Sequence, residues 1–156
     1  MKQDRVLIAI LVVIFILITL SLTLFFIRRG DVEYGTDISP EGVVRNYVLA
    51  LHKEDYQRAH NYLQDADEKP SMTEFRNEFM GLGWNLEDTG LQLGETEISG
   101  DEAVVRLTII HGGSEPFGSS WSETNDAWLV QQKGEWKLSY MPYPYWGWEW
   151  YVETDQ

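Results

Sequence analysis

The spacing of apolar residues divides the chain into three parts. Residues 6–27 have no periodicity: they are 22 consecutive uncharged positions, 19 of them apolar, interrupted only by Thr19, Ser21 and Thr23. At about 1.5 Å per residue such a helix is about 33 Å long, enough to cross a hydrocarbon core of about 30 Å. The hydroxyls fit there because they can bond back to the helix's own carbonyls. Lys2 and Arg5 flank one end and Arg28 and Arg29 the other, within reach of the interfaces. A cleaved signal peptide needs a shorter apolar core and a small-residue exit. This stretch instead leaves through Leu24-Phe25-Phe26-Ile27-Arg28-Arg29. The reading is a retained transmembrane helix over 6–27, with the lipid bilayer as its partner, behind a cytoplasmic tail at 1–5. Residues 28–38, polar and glycine-bearing, form a short juxtamembrane linker.

The second part has helical rhythm. Ser39-Pro40-Glu41 is a helix start: a capping serine, proline at the first helical position, then an acid for the dipole. Val43, Val44, Tyr47, Val48 and Leu51 follow as one apolar stripe. Asp55 caps a shorter helix with Tyr56, Ala59, Tyr62 and Leu63 on its inner side. Ser71-Met72-Thr73-Glu74 fits a capping box ahead of Phe75 and Phe79, and Gly81-Leu82-Gly83 is the expected end of that helix.

After Trp84 the period becomes alternating. Leu91 and Leu93 open a strand that runs to Ile98, and Ser99-Gly100-Asp101 turns it. Ala103, Val105, Leu107 and Ile109 share one face of a second strand. A glycine-rich loop over 111–118 precedes Trp121 in a third strand candidate that resumes at 127–130. Gln132-Lys133-Gly134 turns the chain into Trp136, Leu138 and Tyr140. Helices followed by a strand meander predict an α+β domain, about three helices packed on a curved antiparallel sheet over 39–141.

Residues 142–156 form an aromatic C-terminal extension. Between Trp136 and Tyr151, eight of 16 residues are aromatic, and Trp146, Trp148 and Trp150 recur at every second place, as in an extended strand edge. Three readings stand open for Tyr145, Trp146, Trp148 and Trp150. The rings close the domain's open end, they form a platform for a protein or glycan partner, or they settle at the membrane interface.

Charge narrows the function classes. The whole chain carries −13. With Lys2, Arg5, Arg28 and Arg29 set aside, eight of twelve cations remain, and with Asp4 set aside 24 of 25 acids, so residues 30–156 carry −16. That balance excludes an electrostatic nucleic-acid binder and disfavours contact with an anionic bilayer. Solubility accounts for most of it. Zero cysteine excludes disulfides, thiolate metal sites and a cysteine nucleophile. Lysine and arginine tie at two on each side of the span, but a five-residue tail before a single span most often stays in the cytosol. The domain is therefore expected outside the cytoplasmic membrane.

Residues 39–51, then Glu54-Asp55-Tyr56-Gln57-Arg58-Ala59 with Tyr62-Leu63, and the closing Lys133-Gly134-Glu135-Trp136-Lys137-Leu138, resemble nuclear transport factor 2-like (cystatin-like α+β) domains. The resemblance covers about 39–141. It implies helices in the concavity of a curved sheet, with a pocket at the wide end in many members. Membrane-anchored members with one N-terminal span are known, including the inner-membrane assembly subunit of type IV secretion systems and many uncharacterised bacterial proteins. Enzymatic members such as ketosteroid isomerase and polyketide cyclases hold a carboxylate or an Asp/His pair in that pocket.

Candidate chemistry is sparse. His111 closes the row of Val105, Leu107 and Ile109, and Glu95 and Glu97 share parity with Leu91 and Leu93, so a His–carboxylate pair facing inward is one reading. A solvated strand-end histidine with two solvated glutamates is the plainer one. Trp121 and Tyr140 complete the candidate ligand-binding set. His52 and His60 are eight apart across a helix break, which is wrong for a metal pair, and are expected to be exposed. Asp65, Asp67, Glu68, Asp101 and Glu102 lack a calcium-loop spacing. The chain has no nucleophile-elbow, phosphate-loop or zinc-protease pattern, and no cofactor or metal is expected. The leading reading is a non-enzymatic binding or assembly domain on a single-pass anchor. The alternative is a small-ligand or isomerase/cyclase-type pocket using His111 with an inward carboxylate.

Overall fold

The computed structural model describes residues 2–28, 33–87, 89–112, 119–148 and 150–151. The chain divides into two compact units, Met1–Glu33 and Tyr34–Gln156. Linker residues 29–32, loop residues 113–118, and 149 and 152–156 of the extension lie outside the described residues.

The first unit holds one helix, α1 (Lys2–Arg28), which runs unbroken through the uncharged stretch. Its described apolar side chains point to solvent, Leu7 at 61% and Phe15 at 70% exposure among them. Thr19 and Thr23 donate their hydroxyls to the carbonyls of Phe15 and Thr19, each at 2.8 Å, the back-bonding that lets a hydroxyl sit in an apolar helix. Among the described residues no helix is long and apolar enough to cross a membrane.

The second unit packs three helices, α2 (Pro40–His52), α3 (Tyr56–Asn61) and α4 (Met72–Glu87), with a four-stranded sheet, β1 (Thr89–Ser99), β2 (Glu102–His111), β3 (Trp121–Gln132) and β4 (Glu135–Tyr140). The sheet is antiparallel throughout, in the order β1-β2-β3-β4. This is the α+β meander that the period change predicts. Ser39 caps α2 by accepting from Gly42 N at 3.2 Å. Asp55 caps α3 by accepting from Arg58 N at 3.2 Å. At α4, Ser71 N donates to Glu74 Oε2 at 2.8 Å while Glu74 N donates to Ser71 Oγ at 3.3 Å, so the capping box forms in both directions.

The core lies between one sheet face and the helices. Val105, Leu107, Ile109, Ala127, Leu129 and Leu138 from the sheet are buried with Val43, Val44, Tyr47 and Leu51 of α2 and Phe75 and Phe79 of α4. The free edge of β4 is paired by the segment after α3. Gln64 N donates to Leu138 O and Leu138 N to Tyr62 O, each at 2.8 Å.

Four expectations change. First, α4 does not stop at the glycines; it continues to Glu87. Leu86, on the face of Phe75 and Phe79, is only 4% exposed, and burying it secures the extra turn. Second, β3 is one continuous strand, because its polar middle pairs residue for residue with β2, from Arg106↔Asp126 to His111↔Trp121. Third, β1 shifts register between Leu93 and Thr96, so Thr96 takes the inward place opposite Val105. An extra residue in a strand reverses the parity beyond it. Glu95 and Glu97 are exposed as a result, and Glu97 pairs with Val104 of the outer row.

Fourth, the segment read as linker belongs to the second unit from Tyr34 onward. Asn46, fully buried on α2, accepts from Gly35 N and donates to Gly35 O, both at 2.9 Å, and donates also to Asp37. Tyr62 donates to Asp37 Oδ1 at 3.0 Å, and the Arg58 guanidinium lies 3.6 Å from the centre of the Tyr34 ring. A buried amide that meets both backbone groups of one residue leaves both orphaned when removed. Asn46→Ala is therefore expected to lower the unfolding free energy of the full chain by about 2–3 kcal/mol in urea titration. A loss within the error of the fit would contradict this role for the amide.

Candidate functional site

Two places gather chemistry. The first is the end of the sheet where β2 and β3 meet. His111 closes β2 on the inward row, its side chain 16% exposed, and its Nε2 lies 3.0 Å from Glu123 Oε1. Its ring stacks on Trp121, with centroids 4.0 Å apart and planes 12° apart. The register accounts for both contacts, since His111 pairs with Trp121 and Ile109 with Glu123, which puts all of them on one face. His111 and Trp121 of the candidate set are thus brought together, with a different acid from the one expected.

Glu95 sits at the β1 bulge and does not join them. Tyr140 is on β4, two strands from His111, with its ring 6.1 Å from that of Trp146. Glu123 was missed because it lies in a polar run that reads as a strand break; its i+2 offset from Trp121 was the available signal.

The second place is the aromatic extension. It makes turns instead of a strand edge, with Tyr145 N donating to Pro142 O at 2.9 Å and Trp150 N to Gly147 O at 3.4 Å. Pro142 and Pro144 cannot donate to a ladder, which explains the departure from the expected alternation. Tyr145 is fully buried. Its carbonyl accepts from Tyr47 Oη at 2.7 Å and its hydroxyl donates to Thr89 Oγ1 at 3.0 Å. Trp150 stacks on Phe75 with centroids 5.1 Å apart and meets Trp146 edge-on, also at 5.1 Å. Tyr151 stacks on Trp146 at 5.7 Å and donates to Gln64 O at 2.5 Å. Gly147 makes the fold-back feasible, since a Cβ there would lie 2.3 Å from the Trp150 indole. Of the four extension residues singled out, Tyr145, Trp146 and Trp150 pack with the core, while Trp148 is 93% exposed.

Trp148 stands on the rim of an 870 Å³ groove lined by Asp67, Glu68, Lys69, Glu74, Glu78 and Trp150, among others. Helical geometry builds it. Phe75 and Phe79 turn one face of α4 to the core, and Glu74, Asn77, Glu78 and Gly81 at i, i+3, i+4 and i+7 turn the other to the groove. The Lys69 ammonium is already engaged, 2.9 Å from Asp65 Oδ1 and 3.4 Å from Leu63 O. The sequence reading took Asp67 and Glu68 as surface charge and Glu74 as the capping-box acid, and did not foresee the extension folding over this face of α4.

Two further cavities carry less chemistry. One of 510 Å³ lies between α3 and the β3–β4 turn, where Arg58 meets Asp37 at 3.8 Å and Lys137 meets Glu135 at 2.9 Å. One of 290 Å³ runs along α2 and β1. His111 lines none of the three. His60, expected to be exposed, is half-buried, with its Nε2 2.8 Å from Pro70 O and its ring against Phe75. Among the described residues no cluster of His, Asp and Glu has the makings of a metal site.

No family model and no curated protein matches the chain. Solved structures do. A SEC-C motif containing protein from Rhodopseudomonas palustris is 16% identical with a TM-score of 0.50, over 68% of this chain and 79% of that one. An NTF2-like protein from Campylobacter jejuni is 18% identical at 0.44, over 64% and 96%. A protein of unknown function with a cystatin-like fold from Nostoc punctiforme is 18% identical at 0.47, over 62% and 80%. At such distances the likeness concerns fold alone.

The tyrosines of this region set an alkaline limit on stability. Burial pushes the Tyr47 hydroxyl well above its ordinary value of about 10 and raises Tyr145 too; burial and the charges of Asp65 and Glu68 raise Tyr151. In the unfolded chain these groups lose their protons near pH 10, while the folded chain keeps them. The unfolding free energy therefore falls as pH rises through about 10. The melting temperature is expected to be flat from pH 8 to 9.5 and to drop steeply above 10, less steeply in Tyr151→Phe. An equal slope in that variant would contradict the assignment.

Proposed function

We propose that the chain is a single-pass membrane protein whose second unit, a nuclear transport factor 2-like domain, stands outside the cytoplasmic membrane and binds a partner without catalysing a reaction. Support for the anchor comes from the 22 uncharged residues within α1, its back-bonded threonines and the cations at both ends. Support for the domain family comes from three helices on a four-stranded antiparallel meander and from the sequence pattern of α2, α3 and the last hairpin. The observation that carries the binding role is Trp148, left 93% exposed beside an acidic groove while its neighbours Trp146 and Trp150 pack inward. A large exposed ring next to a concavity is the usual anchor of an interface.

A second reading keeps the His111–Glu123 pair as a small-ligand or isomerase/cyclase-type site, favoured by their 3.0 Å contact under the Trp121 ring. In-cell photo-crosslinking separates the two. A photoreactive residue at position 148 is expected to give one discrete heavier adduct in membranes, and one at Trp121 none. A C-terminal alkaline phosphatase fusion is expected to be active in a bacterial host. An inactive phosphatase with an active cytoplasmic reporter would overturn the orientation. An adduct at 121 and none at 148 would move the site to the sheet end.

A further inference from the structure

We propose that the groove between α4 and the aromatic extension holds an extended polypeptide segment rich in arginine or lysine. This rests on the reading of Trp148 as a partner-facing ring and goes further by naming the chemistry of the occupant. Among the described residues, Asp67, Glu68, Glu74 and Glu78 line the groove with one lysine, Lys69, which is already bonded to Asp65 and to the Leu63 carbonyl. The lining therefore offers uncompensated negative charge. Trp148 at 93% exposure offers an indole face beside it, the surface that attracts a guanidinium or ammonium most strongly. Acids alone would make only a solvated surface. Their union with an exposed tryptophan along one groove selects a cation that also presents apolar stem, as arginine and lysine side chains do.

Dimensions favour a chain over a compact ion. From Glu74 to Gly81 the helix advances about 10 Å at about 1.5 Å per residue, a span that about three residues of extended peptide match. At the Gly81 end no described atom beyond its own stretch of helix lies within 4 Å of where a side chain would begin. The −16 of residues 30–156 adds long-range steering of a basic segment.

The test is calorimetric titration of the full chain in nanodiscs of neutral lipid with a hexa-arginine amide peptide, with spermine and hexa-glutamate in parallel. The peptide is expected to bind and to weaken as salt rises, with spermine weaker and hexa-glutamate silent. Trp148→Ala is expected to weaken peptide binding about three- to five-fold. The double variant Glu68→Gln/Glu78→Gln should weaken it about five-fold, and Glu95→Gln/Glu97→Gln, on the exposed part of β1, should leave it unchanged. Equal weakening by the β1 pair would reduce the effect to net charge and overturn the proposal. Spermine binding as tightly as the peptide, or no peptide binding at all, would overturn it too. If the peptide fails while the adduct at 148 persists, the cationic occupant is wrong and the surface stands. If the adduct is absent and no peptide binds, both readings fall.

Discussion

Closure of the helix layer by the aromatic extension is the interaction on which the rest of the second unit depends. Phe75 and Phe79 face inward from α4, but the aliphatic supply of this domain is modest, and rings complete its core. Trp150 stacks on Phe75 and Trp146 abuts Trp150. Tyr145 ties to α2 through Tyr47 and to the start of β1 through Thr89. One short stretch of chain thus touches two of the three helices, α2 and α4, and the sheet edge. Stacked and edge-on ring pairs add about 0.5–1.5 kcal/mol each beyond their buried area, enough in sum to decide whether a small domain folds.

The same closure creates the surface to which a role is given. Folding Trp150 inward requires a turn at Gly147, and the turn throws Trp148 outward over the polar face of α4. Packing and exposure are therefore coupled: no side chain at 147 fits under the Trp150 ring, and a strand-like tail would not place Trp148 beside Glu74 and Glu78. Asn46 does equivalent work at the other end, fastening residues 34–38 to α2. In each case a short segment without regular structure is held by partners at a distance in sequence, rings and hydrogen bonds for the extension and the Asn46 amide for residues 34–38.

That distance explains what was legible beforehand. The caps at Ser39, Asp55 and Ser71 are local, and so are the apolar stripe of α2 and the alternation of β2 and β4; all could be read directly. The strand from Leu91 to Ile98 was read without a bulge, so the parity of Glu95 and Glu97 was inverted. The polar run 122–126 is a strand only because β2 lies beside it. Leu86 carries α4 past two glycines because the core has room for it. His111 was placed on the right row, but its acid, Glu123, arrives from another strand. Alternating tryptophans looked like a strand edge, and the two prolines that forbid it counted for too little.

The account's central claim is that the extension is part of the core through the Trp150–Phe75 stack. A double-mutant cycle with Phe75→Leu and Trp150→Leu, followed by urea unfolding of the full chain, measures it most directly. A coupling of about 1 kcal/mol, with each single change strongly destabilising, is the result predicted. Additive effects with no coupling, or a Trp150→Leu variant as stable as the parent, would contradict it.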